Sequence, residues 1–447
     1  MMSHEESIKD SLATSKPETP RGYVTNKGDL VRLGIGFVFS AIVCAIPWVA
    51  LTSVILPATL ENIDPAGKEA MMGTINACGS IVALISNIVF GTFSDLTRSR
   101  FGKRTVWMIV GGIIAGLGMG AVTLVNSFVP ILLLWCVAQL GFNTMLAPFI
   151  ATMSDRVPDQ YRGTVSGVYG AGVAAGQTAG NLVGAKLLKL EGGIDAAWLM
   201  ALAIFSLIGI ITVIIWPREP SNRDEPREPF SLRMLIFSFR PPKGAPDYYY
   251  ALAGRTFMMS GYWMINTYLL YIAQDYVFAG VDDSRTMAAD LIAKMAIITL
   301  IVSFVSAVCA GPITDKIRRR KAPVALASCT FALGAVMPLI FHSEMGMMLY
   351  AAIAGLGYGV YNAIDQALNV SVLPNPDEAG KDLGILNLAN TLSMVVGSAL
   401  TSVIVIIVKA ATNSVEAPPM AYTVVFLIAI LIVLIAAWLI MRIRGVK

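Results

Sequence analysis

The sequence predicts an all-α membrane protein: twelve transmembrane helices in two six-helix, pseudo-repeated bundles. Three observations carry that expectation. Of 447 residues, 56% are hydrophobic and 14% charged, with mean hydropathy +0.68, whereas a water-soluble surface needs about 25% charged residues. Twelve apolar runs are each long enough to span a bilayer core of about 20 helical residues. A Gly-x-x-x-Asp loop followed by basic residues occurs once in each half of the chain.

The runs fall in order at 33–56, 71–93, 105–125, 129–153, 164–188 and 198–216, then 248–272, 291–314, 322–341, 345–373, 383–408 and 422–441. Residues 1–32 are polar and carry no cleavable signal, so the first span is expected to serve as the insertion signal. The domains follow: an N-terminal tail (1–32), a first bundle (33–216), a linker (217–247), a second bundle (248–441) and a short tail (442–447). The linker is charged at Arg218, Glu219, Arg223, Asp224, Glu225, Arg227 and Glu228, then apolar at 234–239. That pattern suggests a short segment lying along the membrane surface. With both termini inside, only Lys68, Lys186, Lys189, Arg285, Lys294 and Lys409 of the 33 basic residues fall at the outer face. The positive-inside rule therefore favours an even number of spans, a cell-membrane location and cytoplasmic termini.

A net charge of +4 is too slight to indicate nucleic acid. Cys44, Cys78, Cys136, Cys309 and Cys329 sit in apolar stretches without metal-ligand spacing, and the only histidines are His4 and His342. No metal site, cofactor, nucleotide-binding loop or nucleophile–base pair is expected, so the chain does not read as an enzyme.

The first loop reads Gly91-Thr-Phe-Ser-Asp95-Leu-Thr-Arg98-Ser-Arg100-Phe-Gly102-Lys103-Arg104, and the second Gly311-Pro-Ile-Thr-Asp315-Lys316-Ile-Arg318-Arg319-Arg320-Lys321. Val157-Pro158 before Arg162-Gly163 is echoed by Leu373-Pro374 before Lys381 and Gly384. Two loops in register point to halves repeated in parallel about one central site. The pair resembles the signature of the major facilitator superfamily, over nearly the whole chain. That resemblance implies a transporter working by alternating access. Gly91, Asp95, Arg98, Arg104, Gly311, Asp315 and Arg319 are the candidate gating residues. Asp95 and Asp315 are expected to face helix N-termini of the opposite half, near Gly384 and Gly163.

Thr97-Arg98-Ser99-Arg100-Phe101-Gly102-Lys103, with Trp107, is similar to the loop of the glycoside–pentoside–hexuronide symporters, the melibiose-permease group. The sodium users of that group carry two acids in the second helix; Ala83 and Asn87 stand there, so a proton is the expected coupling ion. The drug/proton antiporter pattern is only half matched, by Gly172-x-x-x-Gly176-Gln177-x-x-Gly180-Asn181, whose glycines equally suit close helix packing.

Charges at membrane depth are few, and each is a candidate for function. Arg255 and Asp365 lie at similar depth in the seventh and tenth spans and are the expected proton-coupling pair. Asp290 and Lys294, spaced i, i+4, are expected to pair on one helix. Polar and aromatic mid-helix residues are Trp48, Asn76, Ser80, Gln139, Asn143, Gln177, Asn181, Tyr262, Trp263, Asn266, Tyr268, Tyr358, Tyr361, Asn362, Asn387 and Asn390. Among them Tyr262, Asn266, Tyr358, Tyr361 and Asn362 share helix faces and are the candidate substrate-binding residues. Amides that bond hydroxyls and rings that cover apolar faces suit a sugar or glycoside-like solute. The expectation is a monomeric, proton-coupled uptake system for such a solute. The rivals are efflux of amphipathic compounds and a sensor that binds solute without moving it.

Overall fold

The computed structural model describes residues 26–224, 242, 244–317, 321–373 and 379–445. The apolar linker segment 234–239, Arg319 and Pro374 lie outside them. Among the described residues the chain forms twelve long helices: α1 (Lys27–Ile63), α2 (Lys68–Leu96), α3 (Thr105–Leu124), α4 (Phe128–Arg156), α5 (Asp159–Leu188) and α6 (Gly193–Ile215) in the first half. The second half has α7 (Pro246–Asn266), α8 (Ser284–Ile317), α9 (Lys321–Ile340), α10 (Glu344–Ser371), α11 (Ala379–Thr412) and α12 (Pro419–Met441). Many of the helices overrun the apolar runs at one or both ends because their polar ends stay helical beyond the hydrocarbon, whereas α7 stops at Asn266, short of the run to 272. α1, for instance, starts at Lys27 because the Asn26 side chain accepts the Gly28 N–H and caps it.

Ten of the helices are long and apolar enough to cross a membrane on their own. The other two are α5, rich in Gly, Gln and Asn, and α7, which holds Arg255 and several tyrosines. Both pack among other helices, so neither needs a lipid-facing surface on every side.

The duplication shows in the packing. α1 packs on α5 and α6, α2 on α4, and α3 on α4 and α6; the same pairs recur as α7 on α11 and α12, α8 on α10, and α9 on α10 and α12. The halves meet through α2 against α11 and α5 against α8. The α1–α5 contact is close because α5 offers glycine there. A Cβ at Gly176 would stand 2.6 Å from the Ile42 carbonyl oxygen, and one at Gly180 equally close to that of Ile46. Helix packing therefore accounts for the glycine run in α5.

The first helix of each half is distorted at the same place. In α1, Pro47 precedes a π-helical turn at Leu51–Ile55. After α7 the chain continues through Leu269–Ile272 into a π-turn at Ala273–Val277. From Leu51 to Ala273 is 222 positions, within two of the 220 that separate Gly91 from Gly311. π-turns interrupt regular hydrogen bonding and are frequent at functional places. Both lie at the end of the molecule opposite the two termini, here called the distal face.

Candidate functional site: a central cleft closed at the distal face

Bonds between the halves gather at the distal face, where the chain is polar only at helix ends. The Lys68 Nζ lies 3.0 Å from Glu61 Oε1 in its own half and 2.8 Å from Asp275 Oδ2 in the other. Asp275 belongs to the second π-turn, so that distortion delivers the carboxylate to the interface. The Tyr422 hydroxyl sits 3.0 Å from Asp275 Oδ2 and 3.3 Å from Glu69 Oε1, and Glu69 Oε2 is 3.7 Å from Lys409 Nζ. Gln274 donates to Glu61 at 3.2 Å, while Arg285 donates to Asn62 Oδ1 and to the Ala58 carbonyl. The Tyr271 hydroxyl donates to the Pro57 carbonyl beside the first π-turn. Lys189 pairs with Asp290 at the α5–α8 contact. Lys68 and Glu69 are almost fully buried, so their charges depend on these partners rather than on water.

Sequence reading used Lys68, Lys189, Arg285 and Lys409 only to orient the chain. The signal it passed over is that acids of one half and bases of the other both stand at helix ends on that face. One expectation is corrected here. Asp290 and Lys294 do not pair with each other: Asp290 bonds across to Lys189, and Lys294 reaches Glu344 at 2.9 Å. Tyr268, one of the mid-helix aromatics, belongs to this seal: its buried hydroxyl donates to the Ser398 carbonyl at 2.9 Å.

At the opposite end, the first loop is stitched into its own half. Asp95 pairs with Arg104, which also holds Asp155 at the end of α4 (2.8 Å) and Ser94 Oγ (3.1 Å). Lys103 adds a second contact to Asp155 at 3.1 Å, and Arg98 donates to the Asp95 carbonyl at 2.9 Å. Glu219, just past α6, accepts the backbone N–H groups of Lys103, Arg104 and Thr105 and the Thr105 hydroxyl. It thus caps α3, and Gly102 (φ +86°) leaves room for it. Among the described residues the partner of Asp95 is Arg104. Only the backbone is described for Gly311 and Asp315 and at Gly163 and Gly384, so their expected contacts lie outside the described residues.

Inside the second half, the structure brings Arg255 and Asp365 together, with Arg255 Nη1 2.8 Å from Asp365 Oδ2 and both side chains buried. Asn369, one turn on, donates to the same carboxylate oxygen at 3.0 Å. Arg255 Nε reaches Asn390 Oδ1 on α11 at 3.3 Å. One ion pair thereby links α7, α10 and α11. Next to it Tyr262 and Tyr358 stack at 4.3 Å, nearly parallel. Asn266 donates to the Tyr350 hydroxyl at 3.1 Å, and Asn362 is exposed. Tyr361 differs from expectation: it is buried within the bundle. On the other wall Asn87 bonds Asn143, which bonds Gln139, giving an uncharged ladder between α2 and α4. Asn87, Gln177, Asn362 and Asn390 are exposed although they lie deep within helices. Exposed polar groups at that depth face an aqueous cleft between the halves rather than lipid.

The sequence matches the Major Facilitator Superfamily over residues 33–276 and 251–447, which together span both bundles. The chain belongs to this superfamily. A search of curated protein sequences gives no match. Among solved structures, it is similar to a bacterial homolog of the human lysosomal transporter Spinster in an inward-facing, unoccupied conformation. That pair shares 15% identity, with 94% of this chain and 99% of the other covered and a TM-score of 0.68. The nucleoside transporter NupG is 12% identical, covers 92% of this chain and 98% of its own, and gives a TM-score of 0.69. At such identities the likeness is one of fold. Family and fold make this major facilitator protein a multi-pass secondary transporter of small molecules and not an enzyme.

Proposed function

We propose that this major facilitator protein is a proton-coupled symporter that takes up a neutral, hydroxyl-rich solute of the sugar or glycoside class. It would act as a monomer in the cell membrane, both termini cytoplasmic. The observation that supports this reading is the buried Arg255–Asp365 pair, wired to Asn369 and Asn390 beside the cleft. A carboxylate and a guanidinium shut away from water hold each other charged; a proton on Asp365 removes the attraction and frees Arg255. Because the pair ties α7 to α10, and Arg255 also reaches Asn390 on α11, its release loosens the helices that carry Tyr262, Tyr358 and Asn362. Solute hydroxyls then bond the amides of Asn362 and Asn390, and a ring face lies against Tyr358. In this orientation the distal face is outside, and the present structure is closed to it.

The test uses proteoliposomes, a panel of radiolabelled sugars and glycosides, and an imposed pH gradient. Accumulation of a panel member should follow the gradient in the native protein. In Asp365→Asn it should disappear while counterflow persists. A gradient-driven uptake unaffected by Asp365→Asn would overturn the coupling role, and no flux of any panel member would overturn the substrate class. Export of amphipathic compounds is a second reading, favoured by the apolar lining of a cavity in the first half. Drug sensitivity of a deletion strain separates the two.

A further inference from the structure

We propose that the first half holds a pocket for a one-ring aryl or similarly compact apolar group, so that the solute is an aryl-substituted glycoside rather than a bare sugar. The inference rests on the transporter reading above and deepens it. A cavity of about 140 Å³ lies among α1, α3, α4, α5 and α6. Its wall is aromatic and thioether: Trp48, Phe142, Phe149 and Tyr169 with Met108 and Met145. Trp48 lies flat on Phe142, with centroids 4.2 Å apart and planes 14° from parallel. The Ser40 and Thr212 hydroxyls also line the space, but they bond each other at 2.6 Å, and Thr212 bonds the Ile208 carbonyl as well.

Water in a cavity needs two to four polar partners, and an apolar cavity of roughly 150 Å³ stays dry and accepts benzene. The wall here offers few such partners, and the volume matches one aromatic ring. An unfilled hole in a close-packed interior is destabilising. In the second half Tyr262, Phe331, Tyr350, Tyr358 and Phe426 run in ring-to-ring contact among α7, α9, α10 and α12. Gln177, exposed at membrane depth, lines the cavity too and marks its side towards the cleft. An aryl group can enter there while the hydroxylated remainder stays against Asn362 and Asn390 opposite.

Cys44 lines the cavity and reports on it directly. In a chain with Cys78, Cys136, Cys309 and Cys329 replaced by serine, the reagent is methyl methanethiosulfonate. The probes are the phenyl and methyl β-glycosides of glucose, galactose and xylose. A ligand at ten times its Kd leaves about one site in eleven free, so a phenyl glycoside should slow labelling roughly tenfold. Its methyl counterpart should not. Equal rates with all phenyl and methyl pairs, or a Cys44 that never reacts, would overturn the pocket. Val173→Phe, which puts a ring into the space, should abolish counterflow of the phenyl glycoside and spare that of the methyl glycoside. Equal counterflow of both in that variant would also overturn it. If the variant melts well below the parent, the labelling result decides alone. Labelling requires no transport, so failure of the pocket and failure of the transporter reading are distinguishable.

Discussion

Single residues act here mainly by where they place charge in a medium that penalises it. Arg255 and Asp365 were legible in the sequence because an ionised group at membrane depth is rare and needs a partner at equal depth. Their helices, α7 and α10, are far apart in the chain, and only helical rise and burial connected them. Replacing Arg255 by Ala leaves Asp365 buried without a counter-ion, with Asn369 still donating to it. The carboxyl should then stay protonated, and uptake should lose its dependence on the pH gradient as in Asp365→Asn. The double change Arg255→Ala with Asp365→Asn should be less damaging to thermal stability at pH 7 than Arg255→Ala alone, by about 1–3 kcal/mol, because no buried carboxyl then has to take up a proton on folding. Melting in detergent checks the second statement. Tyr361 was not legible: helical spacing put it on the face of Tyr358, yet it is buried within the bundle. An i, i+3 rule gives neighbours on one helix but not how far a neighbouring helix covers them.

At the scale of the element, the loops and glycines gain meaning from their surroundings. The Gly-x-x-x-Asp loop announced the repeat, but its cap came from Glu219, which sequence reading had counted as one linker charge among several. Glu219→Ala removes the acceptor of three backbone N–H groups. Hydrogen exchange at Lys103, Arg104 and Thr105 should speed up by about tenfold or more, as expected for the loss of 1–3 kcal/mol of charge-assisted bonding. Unchanged exchange would mean that Asp95, Arg104 and Asp155 hold the loop unaided. The glycines of α5 make the opposite case, since a half-matched antiporter pattern that equally suited close packing is used for packing. Gly176→Val would drive a side chain into the Ile42 carbonyl, and thermal stability should fall by roughly 1–3 kcal/mol. The helix count was legible because twenty apolar residues leave little choice in a bilayer. The two π-turns were not, because a single extra residue in a helical turn has no compositional mark.

Across the whole molecule, an alternating transporter must close each face with bonds weak enough to break. The distal face holds the acids Glu61, Glu69 and Asp275 against the bases Lys68, Lys409 and Arg285, a balanced set in which most pairs cross the interface. Each pair is strong only while its partners stay dry, so the seal is cooperative: one bond lost admits water to the rest. The π-turns in α1 and after α7 lie beside this set, and there the helices can change register without unwinding. Lys68 is the keystone, since it touches Glu61 on its own side and Asp275 across the interface. Lys68→Met would leave Asp275 without a counter-ion and facing Glu61, which keeps only Arg285 at 3.6 Å. On the order of 3 kcal/mol should be lost from the distally closed state and not from the open one. That shifts the equilibrium towards distal opening by about a hundredfold. Spin labels on exposed sites at the distal ends of α1 and α7 would read the change, as a longer and broader distance in the variant. Adding Asp275→Asn to Lys68→Met removes one of the opposed charges and should return part of the closed population. A distance distribution that Lys68→Met leaves unchanged would show that hydrophobic packing of α2 on α11 and α5 on α8 closes this face without the ions.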